Sequence, residues 1–273
     1  MFKIIEKEEM SNNVFRFVLD APMIARERKA GQFVVIQIGG DYNERIPLTI
    51  ADADVEKGTI TIVFQVVGEG TYLLGQMNEG DIIENVLGPL GRPTHIEKFG
   101  TVVCVGGGIG VAPLYPIAKA MKEAGNKVRI IIGARTKNLI IEEDMMREVD
   151  PDLIVVTDDG SYGRKALVTE PLKELCEELH PDKCVAIGPT PMMKFCCKTT
   201  EPYGVNTLVS LNTIMIDGTG MCGGCRVSIG GETKFVCVDG PEFDGSLVDW
   251  DNMMSRQRTF KPAEAAAFEA CKN

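Results

Sequence analysis

The chain has 273 residues, of which 44% are hydrophobic and 25% charged, a composition typical of a globular protein with about two modest domains. The net charge of −10 disfavours nucleic acids and anionic membranes as partners, because both attract lysine and arginine. The first ten residues contain no unbroken hydrophobic stretch, and no apolar run approaches the roughly 20 residues of a membrane span. We therefore expect a cytoplasmic protein with no nucleic-acid partner and no membrane partner.

Six short segments at the start of the chain alternate apolar and polar residues, as antiparallel strands do. They are rich in valine and isoleucine and are separated by turn residues such as Gly39 and Gly40. Six strands at this spacing predict a small β barrel in residues 1–95, interrupted by one helix at 71–77. The predicted strands are 2–8, 14–19, 32–38, 46–51, 59–67 and 82–86.

Strands and helices alternate in residues 96–210, beyond a stretch that is dense in glycine and proline. This rhythm predicts a parallel sheet with helices on both faces. The predicted strands are 101–105, 127–132, 153–157 and 183–187, and the predicted helices are 111–124, 142–149, 166–179 and 191–200. A glycine- and cysteine-rich segment with little regular pattern follows at 211–250, and the tail at 251–273 has a helical pattern.

Three of the nine cysteines are spaced like ligands of a metal centre. Cys222 and Cys225 form a Cys-x2-Cys motif, Cys237 follows after eleven further residues, and Asp217 lies five residues before Cys222. Asp217 thus stands where plant-type [2Fe–2S] proteins have the first cysteine of Cys-x4-Cys-x2-Cys, and a carboxylate can bind iron as an anionic oxygen donor. We predict a [2Fe–2S] cluster held by these four residues. The alternatives are a zinc site, three unconnected thiols, or a fourth ligand elsewhere.

The other six cysteines lie in apolar or helical contexts. A reducing compartment disfavours structural disulfides, so these thiols are expected to be small buried hydrophobic groups. They are Cys104, Cys176, Cys184, Cys196, Cys197 and Cys271.

A glycine-rich loop joins the first strand of the second domain to its helix. Glycine lets the backbone approach a pyrophosphate closely, and a helix N-terminus favours negative charge. The placement between strand and helix predicts a dinucleotide site at Gly107, Gly108, Gly110 and Pro113. A tight turn without a ligand is the alternative.

Residues that follow the other strands of this sheet extend the predicted site, because ligands of open α/β sheets bind at the carboxyl ends of the strands. These residues are Arg135, Asp159, Gly188 and Met192. The second strand ends near Arg135 and not in the acidic residue that usually contacts an NAD ribose, so the chemistry leaves NAD and NADP open. Ordinary turns are the alternative for the segments around Asp159 and Gly188.

Two segments of the first domain have side chains that suit a flavin dinucleotide. Arg45 can neutralise a pyrophosphate, and the Thr49 hydroxyl can hydrogen-bond to a flavin ring nitrogen. Gly70 and Thr71, at the start of a predicted helix, can hold another phosphate. On these residues alone, a salt-bridged surface arginine is the better interpretation of Arg45.

Taken together, the segments resemble the ferredoxin–NADP reductase superfamily, in which an FAD-binding barrel precedes a nucleotide-binding domain. The added cysteine-rich segment makes the chain similar to electron-transfer subunits of dihydroorotate dehydrogenase B. It is more similar still to small subunits of the NADH-dependent reduced ferredoxin:NADP oxidoreductases, which are electron-bifurcating transhydrogenases and typically have aspartate at the first ligand position. The resemblance rests on ERIPLTIAD at 44–52, LGPLG at 87–91, DDGSYG at 158–163, DGTGMCGGC at 217–225, DGPEFD at 239–244 and LVDW at 247–250.

The resemblance implies roles for further residues. It places Ile46, Pro47, Leu48, Thr49, Phe64, Gln65, Gly70 and Thr71 along FAD. In the superfamily motif Arg-x-aromatic-Ser/Thr, Ile46 takes the arginine position and Arg45 lies one residue early. The superfamily often has cysteine just before Gly188, but this chain has Ile187, and hydride transfer needs no acid–base residue, so no catalytic residue is predicted.

The resemblance also implies cofactors and partners: FAD, a [2Fe–2S] cluster and NAD(H) in this chain, and a larger flavin and iron–sulfur subunit that handles NADP(H) and ferredoxin. Three other functions stay open at this point. They are the electron-transfer subunit of a dihydroorotate dehydrogenase, a non-catalytic binding subunit with a zinc-containing segment, and a flavin reductase without a partner.

Overall fold

The computed structural model describes residues 1–40 and 44–272, and these residues form two compact units. The first unit combines residues 1–92, 212–241 and 249 onward, and the second combines residues 93–211 and 242–248. The predicted barrel, cysteine-rich segment and tail therefore contribute to one unit, whereas residues 242–248 of that segment join the other. No helix of the described residues is both long enough and apolar enough to cross a bilayer.

The first unit is built on a seven-stranded antiparallel sheet that nearly closes into a barrel. Its strands are β1 (Phe2–Ser11), β2 (Val14–Asp20), β3 (Phe33–Gln37), β4 (Ile46–Asp54), β5 (Thr59–Gln65), β6 (Ile82–Ile83) and β7 (Asn85–Leu90). They are ordered β6-β1-β2-β5-β4-β3-β7. The alternation predicted from sequence is clear in β5, where Ile60, Ile62 and Phe64 point into the core because successive side chains face opposite sides of a strand. The predicted barrel is confirmed.

Helices and a hairpin complete the first unit. The helices are α1 (Pro22–Glu27), α2 (Glu69–Gln76), α7 (Val236–Asp239), α8 (Trp250–Gln257) and α9 (Lys261–Cys271). The hairpin consists of β14 (Arg226–Ile229) and β15 (Glu232–Phe235). It lies in the cysteine-rich segment, where the sequence pattern predicted little regular structure. The predicted strand 82–86 is two strands, because the chain turns at Glu84 and continues as β7 along β3.

The second unit contains a seven-stranded sheet that is parallel apart from one edge strand. Its strands are β8 (Thr101–Gly107), β9 (Lys127–Ala134), β10 (Ile154–Thr157), β11 (Arg164–Lys165), β12 (Lys183–Ile187), β13 (Asn206–Ser210) and β16 (Glu242–Asp244), in the order β11-β10-β9-β8-β12-β13-β16. Its helices are α3 (Val111–Glu123), α4 (Glu143–Val149), α5 (Thr169–Leu179) and α6 (Thr190–Thr200). The chain order reverses beside β8, which lies between β9 and β12, and this is where such sheets bind ligands.

Most of the cysteine thiols outside the predicted metal-ligand motif are buried in the second unit. Cys104, Cys176, Cys184 and Cys196 are buried, whereas Cys197 is only partly buried. Burial raises the pKa of the Cys104 thiol to about 12, so the thiol is neutral at physiological pH. Neutral thiols of this kind, buried outside the Cys-x2-Cys motif, pack as small apolar groups.

Glu242 begins β16 and is a partly buried carboxyl group. The Thr94 hydroxyl donates a hydrogen bond of 2.7 Å to its Oε1 atom. Burial raises the pKa of Glu242 to about 7, against smaller opposing effects of Thr94 and Lys183. Since the native pKa lies above the ordinary value of 4.5, folding favours the protonated carboxyl group, and the unfolding free energy falls as the pH rises from about 4.5 through 7.

Glu242→Gln is therefore expected to stabilise the protein at pH 8 and to have little effect at pH 4.5. Glutamine keeps an oxygen acceptor for Thr94 and carries no charge, so the gain is at most about 3 kcal/mol, the free-energy equivalent of the pKa shift. Denaturant unfolding at the two pH values measures the difference, with the exposed Glu178→Gln as control. An equal change at both pH values would contradict the buried-carboxyl account.

Candidate redox-cofactor sites

A loop and a hairpin carry the four predicted metal ligands in the first unit, where they form two separate pairs. Cys225 immediately precedes β14 and Cys237 lies in α7, just after β15, so the pairing of these two strands places the cysteines side by side. Their Sγ atoms are 3.3 Å apart, and each residue is only 1% exposed. Burial, followed by the hydrogen bond from Cys225, raises the pKa of Cys237 to about 12. A metal centre would have to displace this proton, as thiolate ligation requires.

Asp217 and Cys222 form a second pair at the surface end of the same loop. The Asp217 Oδ2 atom accepts the Cys222 backbone N–H at 2.7 Å, and its Oδ1 atom accepts the Thr219 backbone N–H at 2.9 Å. The hydrogen bond from Thr219 contributes most to holding the Asp217 pKa below its ordinary value. The carboxylate is therefore anionic at neutral pH, which is the state that a ligand of iron needs.

The donor set fits a binuclear cluster. Each iron of a [2Fe–2S] cluster takes two protein ligands, and the chain offers one buried thiol pair and one carboxylate–thiol pair. A structural zinc ion would need four ligands around one centre. In residues 1–40 and 44–272, no three histidine, cysteine or acidic side chains are grouped closely enough to hold a metal ion, so the two pairs have to approach each other when either kind of centre binds.

Glycines shape the loop and supply N–H groups to the sulfur atoms. Gly218, Gly220 and Gly223 have φ angles of 75°, 87° and 64°, which residues with a side chain rarely adopt. The Gly220 backbone N–H opposes the rise in the Cys237 pKa, and the Gly224 backbone nitrogen lies 3.4 Å from the Cys222 Sγ atom. Hydrogen bonds of this kind tune and stabilise iron–sulfur clusters.

The loop that carries the predicted cluster ligands, at 217–237, packs on the barrel next to the predicted flavin segment. A Cβ atom at Gly218 would lie 2.8 Å from Val35 on β3 and 3.0 Å from Leu90 on β7, so only glycine fits. Val35 is paired with Pro47 on β4. Neighbouring strands are roughly 5 Å apart, so the loop and the flavin segment are separated by about one strand.

The predicted flavin residues of β4 differ in how far they are exposed. Ile46 is buried and points away from solvent, whereas Arg45 is exposed just before the strand begins. The next three residues, Pro47, Leu48 and Thr49, are half-buried along the strand. Half-buried side chains can contact a cofactor that covers the strand, so this stretch suits the predicted flavin site better than Ile46 does.

The predicted flavin residues of β5 lie in a different setting. Phe64 belongs to the barrel core, where its ring meets the Phe17 ring edge-on at 5.0 Å. Gln65, the last residue of the strand, is half-buried. The buried Phe64 side chain supports the strand and leaves only its backbone available to a cofactor.

The first turn of α2 contains Gly70 and Thr71. The Thr71 hydroxyl accepts the backbone N–H groups of Val67 and Gly68 and donates to the Gly68 carbonyl. It therefore caps the helix from the third helical position, a role that the sequence analysis missed because a capping box has glutamate or glutamine there. Gly70 is buried beside it.

The tail helix α9 packs against α2, which no sequence pattern predicted. The Phe268 ring meets the Tyr72 ring at 6.0 Å. Burial, followed by the nearby carboxylates of Glu69 and Glu264, raises the pKa of Glu44. Acidic groups from three segments therefore gather around the predicted phosphate-binding end of α2.

The glycine-rich loop lies at the carboxyl ends of β8 and β12. A Cβ atom at Gly107 would overlap Met192, and one at Gly110 would overlap the Ile187 carbonyl, so close packing of these segments requires glycine. A Cβ atom at Gly188 would also contact Met192, and Pro113 is half-buried in the first turn of α3. Four of the predicted site residues therefore lie close together at the ends of these two strands, namely Gly107, Gly110, Gly188 and Met192.

Gly108 differs from its neighbours. It has a φ angle of 56°, and a Cβ atom there would meet nothing within 4 Å. Its backbone thus faces open space at the point where β8 gives way to α3. A pyrophosphate could approach the peptide groups there without displacing protein atoms.

Arg135 and Asp159 are exposed at the carboxyl ends of β9 and β10. The Asp159 backbone N–H donates to the Arg135 carbonyl at 3.2 Å. The Ser161 hydroxyl donates to the Asp159 Oδ1 atom at 2.6 Å, and this bond contributes most to lowering the Asp159 pKa. An anionic carboxylate is thus held in a fixed orientation on a residue whose backbone is bonded to that of Arg135.

Comparisons with known proteins agree with this arrangement. A family model described as the iron–sulfur cluster binding domain of dihydroorotate dehydrogenase B matches residues 212–249, and one described as an oxidoreductase NAD-binding domain matches residues 104–198. The chain is 48% identical to the dihydroorotate dehydrogenase B (NAD(+)) electron transfer subunit homolog of Thermotoga maritima, over 98% of this chain and 94% of the relative. It is 33% identical to the corresponding electron transfer subunit of Bacillus pumilus, over 90% and 96%.

A solved structure is also similar over the whole chain. The structure of the NADH-dependent reduced ferredoxin–NADP oxidoreductase, studied for flavin-based electron bifurcation, has a TM-score of 0.94 and 46% identity, and the match covers 100% of this chain and 98% of that chain.

The fold and the sites define an oxidoreductase of the ferredoxin–NADP reductase type with its own iron–sulfur segment. The chain belongs to the family of electron-transfer subunits that contains these relatives. At the level of this family, the matches confirm the cofactors predicted from the sequence, namely FAD, a [2Fe–2S] cluster and NAD(H). The individual residues that bind them stay predictions.

Proposed function

We propose that this chain passes electrons between NAD(H) and a larger flavin and iron–sulfur subunit that handles NADPH and ferredoxin. The packing of the Gly218 loop on β3, which is paired with the predicted flavin strand β4, is the observation that carries this proposal. When bound, FAD exchanges a hydride with NAD(H) and single electrons with a [2Fe–2S] cluster. A cluster and a flavin held by neighbouring strands of one unit suit that exchange.

The chain's own residues bind and orient the cofactors. We propose that the peptide groups around Gly108 and the N-terminus of α3 hold the dinucleotide pyrophosphate, with Arg135 and Asp159 at the adenosine end. The half-buried residues of β4 orient the flavin, and the backbone at Gly70 contributes to its phosphate site. No side chain has to move a proton, and Ile187 provides no thiol at the end of β12.

Asp217, Cys222, Cys225 and Cys237 are proposed as the cluster ligands. The pair of Cys225 and Cys237 would be shielded from solvent, and the pair of Asp217 and Cys222 would face outward, since Cys222 is exposed. An anionic oxygen in place of a thiolate is expected to shift the reduction potential from that of an all-cysteine cluster.

Exposed apolar side chains surround the outward-facing pair and support a protein partner there. Met221 is 88% exposed, Ile216 57% and Val238 39%. Gly220 lies against Val238 and Gly224 against Ile216, so these side chains border the same loop. Apolar patches of this kind mark interaction sites, and the relatives are named as subunits of larger enzymes.

We also propose a cytoplasmic location for this chain. All nine of its cysteines are free, which supports that location.

The second candidate is an electron-transfer subunit of a dihydroorotate dehydrogenase, which the names of two relatives favour. Asp217 disfavours it, because the dihydroorotate enzymes that the sequence resembles have cysteine at that position. Purification of the chain with its partner subunit separates the two functions. Oxidation of dihydroorotate by the complex would support the second candidate, and reduction of NADP+ by reduced ferredoxin would support the first.

NADH is expected to bleach the bound flavin at least about tenfold faster than NADPH. The Asp159 carboxylate can accept a hydrogen bond from a ribose hydroxyl and repels a 2′-phosphate, and tenfold corresponds to about 1.4 kcal/mol. Anaerobic stopped-flow absorbance with each nucleotide measures the ratio of the two bleaching rates. Asp159→Asn should lower this ratio. Faster bleaching by NADPH would overturn the nucleotide assignment.

A further inference from the structure

Two arginines contact the peptide groups between Cys222 and Cys225. The Arg226 Nη1 atom donates to the Gly223 carbonyl at 3.2 Å, and the Arg256 Nη2 atom donates to the Gly224 carbonyl at 3.2 Å. Both arginines line one small pocket together with Gly224 and Met253. They therefore lie side by side behind the Cys-Gly-Gly-Cys turn.

The bond from Arg226 acts on the same peptide group that faces a sulfur. The Gly223 carbonyl and the Gly224 N–H belong to one trans peptide plane and point in opposite directions. The carbonyl accepts from Arg226, and the N–H lies 3.4 Å from the Cys222 Sγ atom. A cation on the carbonyl side polarises the peptide and strengthens its N–H as a donor to sulfur.

Helix α8 carries Arg256 to this position. The Asp249 side chain caps the helix through the Asn252 N–H at 3.0 Å, and the Asp249 N–H donates to the Ser228 carbonyl of β14 at 3.0 Å. Met253 is buried on the same helix, and Arg256 follows it by three residues on the same face. The helix is thereby anchored beside the hairpin, and Arg256 is half-buried, whereas Arg226 is exposed.

We propose that Arg256, assisted by Arg226, positions the Cys-Gly-Gly-Cys turn and makes the reduction potential of the cluster less negative. The proposal rests on the ligand assignment given under the proposed function. One-electron reduction adds a negative charge to the cluster, so nearby cations and N–H···S hydrogen bonds favour the reduced form. Arg256 has the larger effect, because a half-buried charge is screened less by solvent than an exposed one.

Redox titration of the full chain, purified anaerobically and followed by EPR of the reduced cluster, tests the proposal. Arg256→Gln should make the midpoint potential more negative, and Arg226→Gln should shift it in the same direction by less. The midpoint potential of Arg256→Lys, which keeps the charge, should stay closer to that of the unsubstituted chain. Arg258→Gln is the matched control, because it removes the same charge from an exposed position two residues away.

Iron content, measured on every variant, decides how the potentials are interpreted. Equal potentials for Arg256→Gln and Arg258→Gln, with equal iron content, would overturn the proposal and leave the proposed function intact. If Arg256→Gln retains no cluster, Arg226→Gln decides, and a potential no more negative than that of Arg258→Gln overturns the proposal. Absence of any reduced-cluster signal from the unsubstituted chain would instead overturn the ligand assignment.

Discussion

Asp217→Ala is expected to abolish or strongly destabilise the [2Fe–2S] cluster, with iron falling well below about two per chain. The substitution removes the anionic donor and also the acceptor of the Thr219 and Cys222 backbone N–H groups. Asp217→Cys should retain the cluster, because thiolate is the ordinary ligand at this position, and should shift its potential. Iron and sulfide content, visible absorption and EPR measure these outcomes.

Asp217→Asn separates ligation from the support of the turn. Asparagine forms such turns as readily as aspartate and keeps an oxygen acceptor, but it has no anionic oxygen for iron. We expect this variant to lose the cluster almost as completely as the alanine variant. If Asp217→Asn kept the full iron content and an unchanged spectrum, Asp217 would be a turn-forming residue and the fourth ligand would lie elsewhere.

Gly108→Ala is expected to weaken NADH binding by an order of magnitude or more while the fold is retained. The added methyl group meets no protein atom, but it occupies the open space beside the peptide groups that are proposed to face the pyrophosphate. The positive φ angle of 56° adds roughly 1 kcal/mol of backbone strain. Titration of the oxidised chain with NAD+, or the NADH concentration dependence of flavin bleaching, measures the effect.

Gly204→Ala is the matched control for this substitution. Gly204 has a φ angle of 67°, and a Cβ atom there also meets nothing within 4 Å, so the two variants should lose similar stability. Gly204 ends the turn before β13 and has no place in the proposed dinucleotide site. Similar NADH binding in the two variants would show that Gly108 does not contact the dinucleotide.

The sequence predicts those strands whose side chains alternate or run continuously apolar. β5 is identified by Ile60, Ile62 and Phe64, and the predicted strand at 101–105 lies within β8. β7 is only partly predicted, because Gly88 and Pro89 within it usually indicate a turn. The β14–β15 hairpin has a signal that the sequence analysis missed, since Gly230 and Gly231 between two short β-like runs favour a tight hairpin turn.

The candidate sites are predicted where their residues are close in sequence, and they are incomplete where distant segments meet. The spacing of Cys222 and Cys225 indicates a metal site by itself. By contrast, the packing of Gly218 on Val35 depends on the fold of the barrel, and no local pattern links them. The same holds for Arg256, whose bond to the Gly224 carbonyl joins residues 32 positions apart.

Electrons from NADH are expected to reach a [2Fe–2S] cluster enclosed by the loop at 217–237. Anaerobic addition of NADH to the purified full chain, followed by low-temperature EPR with iron and sulfide analysis, tests it most directly. We expect a bleached flavin, a signal from a reduced [2Fe–2S] cluster and about two irons per chain. A chain that contains zinc in place of iron, or whose flavin is bleached without any cluster signal, would contradict it.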